Sequence, residues 1–384
     1  MSLNISANDV ARMARLESFV QSDPSNISLL AEAFDCALEI GAWESAQGYL
    51  TVALGLQPDD ASLRHRQALL WIAEKRYDRA ELLLTGLLTE GPRSPTILFN
   101  LAFVKFRQHD YAAARDVLQP LIGNPEAPAQ TPSTLLRCYH HLGEFDQATA
   151  LIGQLQKMNA LDVTSMGVAS LMYFDANEVD KARGLSEATL KLDPHQTEAL
   201  VARGTVALGE RNVTGARKLL SHALDGNPNE GRVWSACAMA SLLEGNYDRA
   251  LTEYETAVSL LPNHIGTWHG KAWANIAKRD WAAAQKDFET ALALDRNFSE
   301  SHGGLAVVLA QQGRTEEAKA SITRALKLDP QSLAARYAEA ILSGVASDQV
   351  AFRRFAERIL AGRSRPDSAA LAHIFGQGSF PRLR

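Results

Sequence analysis

The chain has 384 residues, 46% hydrophobic and 22% charged, with 39 Lys and Arg against 44 Asp and Glu. A net charge of −5 with both signs interspersed offers no basic field for nucleic acid, and no stretch approaches the roughly 18 apolar residues of a membrane span. The start, Met1 to Val20, is polar and too broken for a signal sequence or membrane anchor; a cytoplasmic protein is expected, although a processed secreted form reads the same.

In chain order, residues 1–22 come first, with 8–21 reading as a lone helix. Its apolar residues Val10, Leu16, Phe19 and Val20 suit a cap over whatever follows. From about Ile27 the chain becomes periodic. The tetrapeptide "YDRA" occurs at Tyr77 and again at Tyr247, 170 residues on, which is five steps of 34. Pro24, Pro58, Pro92, Pro194, Pro228, Pro262 and Pro330 stand on one series of step 34, broken only at Glu126, Ala160 and Arg296. Ala46, Ala80, Ala114, Ala148, Ala182, Ala216, Ala250, Ala284 and Ala318 fill nine consecutive places of another. A fixed period without insertions, running to Pro330, is the mark of a repeat array. It overrides the two or three globular domains that length alone suggests.

One repeat, Ala61 to Pro92, shows the element pattern. Ala68, Leu69, Trp71 and Ile72, then Ala80, Leu84, Leu87 and Leu88, fall at helical spacing on either side of a break. The equivalent breaks hold Gly41, Asn177, Gly143, Gly245 and Gly313, which accept the left-handed conformation that ends a helix. Asp110, Asn212, Asn246 and Asp280 follow as candidate caps, and the ladder proline stops the second helix. The alanine ladder, with Ala68, Ala102, Gly204, Ala238, Ala272 and Ala306 on the first helices, lets antiparallel helices close to about 8–10 Å. Trp43, Tyr77, Tyr111, Phe145, Tyr247 and Trp281 are expected to plug the turns. A hairpin cannot bury its apolar stripe alone, so the hairpins must stack as an α-solenoid.

The pattern resembles the tetratricopeptide repeat, a 34-residue helix pair. Trp234 and Trp268 match that family's tryptophan, Tyr139 and Tyr173 its first-helix tyrosine, and Tyr254 and Phe288 its second-helix aromatic. About nine repeats cover residues 27–330, and a degenerate tenth begins at Leu333. The strict period of 34 argues against the pentatricopeptide family, whose repeat is typically one residue longer. The resemblance implies an all-α, right-handed superhelix of nine to ten helix–turn–helix repeats with helical caps at both ends.

Two segments depart from the rhythm. "QPLIGNPEAPAQTPS" holds Pro120, Pro125, Pro128 and Pro132, which must shorten one helix and delay the next. It reads as a bend between repeats 23–126 and 127–330, or as a local irregularity. Residues 331–361 read as the last repeat and a cap helix with the stripe Phe352, Phe355, Ile359 and Leu360. Beyond them, 362–384 forms a basic tail: from Arg353 to Arg384 there are seven arginines and two acids. A solvated tail and one that folds back on the groove both fit.

The chemistry of catalysis is missing. "GTWHGKA" at Gly266 has one spacer too few for a phosphate loop and lies where a helix belongs. "CYHH" at Cys138 has adjacent histidines that point to different sides of a helix and lacks a second ligand pair. Cys36, Cys138 and Cys237 read as buried free thiols. No enzyme activity, metal or cofactor is expected.

What remains is surface. The resemblance implies that first helices line a groove that holds a partner segment. The third repeat offers Phe99, Phe103 and Phe106 at i, i+4 and i+7, flanked by His65, Leu69 and Ile72 on one side. Arg137 and His140 lie on the other, with Leu171 and Phe174 beyond. A second cluster comprises Met239, Leu242, His269, Trp273, Ile276 and Val307, with Gly303 and Gly304 expected to leave space beside it. The family's carboxylate clamp is missing, since its groove places hold Ala31 and Asp35, His65 and Leu69, Phe99 and Phe103, or Gly167 and Leu171. An apolar groove suits a partner helix or hydrophobic peptide. The expected function is a non-catalytic scaffold or adaptor for protein partners, with no nucleic acid or membrane insertion and with room for self-association. A chaperone-like holder of apolar client segments and a substrate-docking subunit of a separate enzyme, such as a transferase, are the alternatives.

Overall fold

A computed structural model of the chain describes residues 6–91, 93–347 and Arg354. The expected cap helix beyond Ser347 and the tail 362–384 lie outside the described residues apart from Arg354, as does Pro92. Among the described residues there are twenty α-helices and no strand. Helix α1 (Ala7–Ser22) precedes the hairpins α2 (Ile27–Glu39) with α3 (Trp43–Leu56), α4 (Ala61–Ala73) with α5 (Tyr77–Glu90), and α6 (Pro95–Arg107) with α7 (Tyr111–Leu118). Next come α8 (Thr131–Leu142) with α9 (Phe145–Lys157), α10 (Val163–Asp175) with α11 (Val179–Leu192), and α12 (Thr197–Gly209) with α13 (Val213–Gly226). The last are α14 (Gly231–Leu243) with α15 (Tyr247–Leu260), α16 (Ile265–Ala277) with α17 (Trp281–Leu294), α18 (Ser299–Gln311) with α19 (Thr315–Leu328), and α20 (Leu333–Leu342).

The chain divides into two compact units, Met1–Ser165 and Met166–Arg384. In the first, each helix from α1 to α9 packs on the next in order, and the first helices α2, α4, α6 and α8 touch in sequence. In the second, α11 to α20 do the same, with α12, α14, α16, α18 and α20 in series. Each unit is therefore a stack of helical hairpins, an all-α solenoid in which every hairpin buries its apolar stripe on its neighbours.

The sequence explains the local geometry. All nine places at the step of 34 from Gly41 to Gly313 have positive φ, between 60° and 76°. Four are glycine, but Lys75, His109, Asn177, Arg211 and Arg279 adopt the same left-handed turn. The cap residues behave as expected: Asp110, Asn212, Asn246 and Asp280 each accept a backbone N–H three residues on, at 2.9–3.2 Å. The nine ladder alanines are all fully buried, none above 1% exposed, because the helices cross there at a separation that excludes a larger side chain.

Three details differ from the sequence reading or sharpen it. Trp43 does not plug its turn; it is 43% exposed, and its helix starts without a side-chain cap. Gly303 and Gly304 leave no open space. A Cβ at Gly304 would meet the Phe288 ring at 2.3 Å, and one at Gly303 would meet the backbone of Ala335 at 2.5 Å. The proline segment does shorten a helix: α7 has 8 residues, where most second helices have 14. A 3-10 turn over Gln119–Leu121 holds Pro120, and α8 begins only at Thr131. The segment lies inside the first unit, and α7 still packs on α8 across it.

Candidate functional site

The first helices of the Met1–Ser165 unit present the candidate surface. Three places at i, i+4 and i+7 recur along the first helices: in α2 they hold Ala31, Asp35 and Leu38, in α4 His65, Leu69 and Ile72, in α6 Phe99, Phe103 and Phe106. All nine side chains are half-buried rather than enclosed. At α6 all three places are aromatic, and the i, i+4, i+7 spacing sets their Cα–Cβ bonds on one side of the helix.

Polar contacts hold the surface in register. Arg66 on α4 binds both oxygens of Asp35 on α2, at 2.9 and 2.7 Å, a bidentate pair that fixes the two helices. A ring nitrogen of His65 meets the Asn100 amide at 2.8 Å, linking α4 to α6. Burial holds the His65 pKa below its ordinary value, with the Arg66 charge adding to the effect, so the imidazole is neutral at pH 7 and serves as a polar wall. Arg107 lies over the Phe103 ring at 6.0 Å and over Tyr77 at 5.6 Å. Phe106 leans away from its neighbours into the turn, edge-on to Tyr111 at 5.3 Å and to His141 at 5.6 Å. Tyr111 and His141 stack at 4.2 Å. Arg137 lies on α8, half-buried, at the place equivalent to Phe103.

The second cluster is arranged differently. Trp273 is 3% exposed and His269 8%, with Leu242, Ile276 and Val307 fully enclosed. The Trp273 indole N–H donates to a His269 ring nitrogen at 2.9 Å. Phe288 and Phe298 pack on His269 at 5.4 and 5.8 Å between ring centres. Trp273, Ile276, Phe288 and Val307 belong to the core formed by α16 to α20, Leu242 to the one between α14, α15 and α16, and of the cluster only Met239 stays half-buried. In the same unit Arg232 on α14 reaches past α12 to Asp175 on α10, at 2.7 Å, closing the face with the protein's own side chains. His269 and Trp273 are thus packed in the interior of this unit.

The three cysteines are free and buried. Burial raises the Cys138 thiol to about 12 and the Cys237 thiol to about 11, so both are protonated and unreactive at neutral pH. Among the described residues no three His, Cys, Asp or Glu side chains converge as metal ligands, and no helix is long and apolar enough to cross a membrane.

Sequence reasoning did not find one recurrent bond. The indole N–H groups of Trp234 and Trp268 donate to the carbonyls of Pro228 and Pro262, at 2.8 Å each. One and two repeats later, His302 meets the Arg296 carbonyl at 2.9 Å and Arg336 donates to that of Pro330 at 3.2 Å. Four successive repeats thus close the same six-residue loop with three different side chains. The tryptophans matched the family pattern by type; the role of the histidine and arginine was visible only in space.

Stacked 34-residue hairpins, each closed by a left-handed turn and a ladder alanine, define a helical repeat protein. A family model described as tetratricopeptide repeat matches residues 72–129 and 275–342, and a second with the same description matches residues 201–265. The chain belongs to the tetratricopeptide-repeat family. It is 25% identical over 199 residues to human tetratricopeptide repeat protein 7A, a match over 51% of this chain and 21% of that one, so it spans about a fifth of that relative's length. The solved structure of a tetratricopeptide repeat protein from Parabacteroides merdae is similar over 65% of this chain and 98% of its own, with a TM-score of 0.44 and 17% identity.

Proposed function

We propose that the chain is a non-catalytic scaffold that holds an apolar segment of a partner protein, as a helix or extended peptide, against α4 and α6. One observation carries this reading. At equivalent places the first unit leaves Leu69, Phe99 and Phe103 half-open, whereas the second encloses Leu171, His269 and Trp273. Apolar side chains without full cover are unfavourable in water, and their burial by a partner recovers about 25 cal/mol for each Å². The aromatic face favours apolar side chains, His65 and Asn100 offer polar contacts to a backbone, and Arg107 beside Phe103 suits a segment with an acidic flank.

The test compares two aromatic-to-alanine truncations. Phe103→Ala weakens capture of a partner by the full-length bait at least tenfold and leaves the melting temperature within a few degrees. Trp273→Ala, in the core, costs about 3–5 kcal/mol instead. A large stability loss at Phe103 with capture otherwise intact refutes the site. One stoichiometric partner supports the scaffold; many unfolded clients point to a holder, and a single enzyme to a docking subunit.

A further inference from the structure

His195 and His222 take no part in the surface described above. His195 follows Pro194 in the turn between α11 and α12, where Asp193 accepts its backbone N–H at 2.9 Å. His222 lies half-buried on α13. Nδ1 of His195 and Nε2 of His222 face each other at 2.7 Å, with ring centres 4.5 Å apart and planes at 89°. A straight N–H···N contact of that length sets the ring centres about 5 Å apart. The contact is therefore bent, with at least one ring turned off the straight line between the two nitrogens.

Both ring nitrogens are metal donors when unprotonated. Two imidazoles bound cis to a tetragonal ion at about 2.0 Å hold their nitrogens roughly 2.8 Å apart and their ring centres roughly 4.5 Å apart. A tetrahedral zinc ion needs the nitrogens roughly 3.3 Å apart. We propose that His195 and His222 form a two-nitrogen chelate for copper(II), whose preference is tetragonal and whose affinity for nitrogen donors leads the divalent series. Water completes the coordination, since no third protein ligand converges there among the described residues.

The protons balance simply. In the metal-free pair one facing nitrogen carries the proton that the other accepts. On binding, that proton passes through water to the far nitrogen of the same ring, Nε2 of His195 or Nδ1 of His222. A neutral pair releases no net proton, and a pair with one imidazolium releases one. The bound ion ties the α11–α12 turn to α13, and an ion that prefers the native state raises the melting temperature.

Titration of the full chain with copper(II) chloride, followed by calorimetry and electron paramagnetic resonance, tests this. The expected result is one tight equivalent whose spectrum shows two equatorial nitrogens. His195→Ala and His222→Ala should each weaken that equivalent at least ~10-fold, the lower end of what loss of even an outer partner costs, and abolish the copper-dependent rise in melting temperature. The metal-free melting temperature should stay unchanged, and His195→Gln at the exposed turn gives a second variant should one fail to fold. Copper bound with equal affinity by the variants, no saturable binding by the parent chain, or tighter zinc than copper overturns the proposal.

Discussion

At the scale of single residues, the repeat is held by a few places whose backbone demands are sharper than their side-chain identities. The left-handed turn after each first helix is the clearest. Glycine meets that conformation without strain, and a side chain there costs about 1 kcal/mol. Lys75 adopts φ of 62° while Gly313, in the same place, has φ of 76° and open space around the missing Cβ. Lys75→Gly should therefore stabilise the protein by about 0.5–1 kcal/mol and Gly313→Ala destabilise it by about 1 kcal/mol. Denaturant melts of the two variants check both signs, and opposite shifts are required. The indole-to-carbonyl bonds show the complementary case. Trp234, Trp268, His302 and Arg336 differ in size and charge, but each places a nitrogen at the same carbonyl. That place selects a reach and a nitrogen, and its backbone geometry tolerates several residue types.

At the scale of elements, hairpins are set by small residues at crossings and by aromatics that fill what the small residues leave. Tyr254 and Phe288, both fully buried on second helices, press on the following first helix where Gly270 and Gly304 lack a Cβ; one added there would sit 2.3–2.4 Å from the ring or hydroxyl. Ala250 lies in the buried cluster that joins α15 to α14, 0% exposed. Ala250→Leu should overpack that crossing and cost about 1–3 kcal/mol, read as a lower midpoint in urea with an unchanged slope. An increased midpoint would mean that the crossing has room to spare. Helix α7 is the exception among these elements. Pro120 lacks the N–H that would continue the ladder of bonds, so the helix ends at Leu118, but Ala114 and Leu118 remain fully buried and the contact with α8 survives. A shortened second helix keeps its neighbours when its crossing residues lie in the turns that remain.

At the scale of the whole molecule, stability is spread over neighbour-to-neighbour contacts, and ion pairs recur between adjacent hairpins. Lys105 donates to Glu81 at 2.8 Å in the first unit, and Arg217 binds Glu244 at 2.9 and 2.8 Å in the second. Each hydrogen bond holds its glutamate below the ordinary carboxylate value, with the cation's charge acting in the same direction and burial opposing it. The sign follows from linkage. A depressed folded pKa adds stability that is present above the unfolded value of about 4.3 and disappears as pH falls through the folded value. Melting temperature should thus decline below about pH 4.5, and Glu244→Gln should flatten that decline while lowering stability at pH 7. An unchanged acid profile in Glu244→Gln would remove the pair from the account.

The amino-acid sequence by itself determined the period, the two helices of each repeat, the left-handed turn between them, the caps and the crossing alanines. Those features depend on short-range backbone preference and on one residue's size, and a place repeated nine times exposes them. The family followed from the same ladders. Which first-helix side chains stay open was decided only by tertiary structure. Phe103 and Trp273 occupy the same place and are both large aromatics, yet one is half-open and the other closed under Phe288 and α18. Burial at that place depends on what the next hairpin presents and how closely it approaches, a contact between residues tens of positions apart that the pattern within one repeat does not encode. The meeting of His195 and His222 across 27 residues has the same origin: helical spacing puts each side chain on its own surface, and only the packing of α13 against the turn before α12 brings the two nitrogens together.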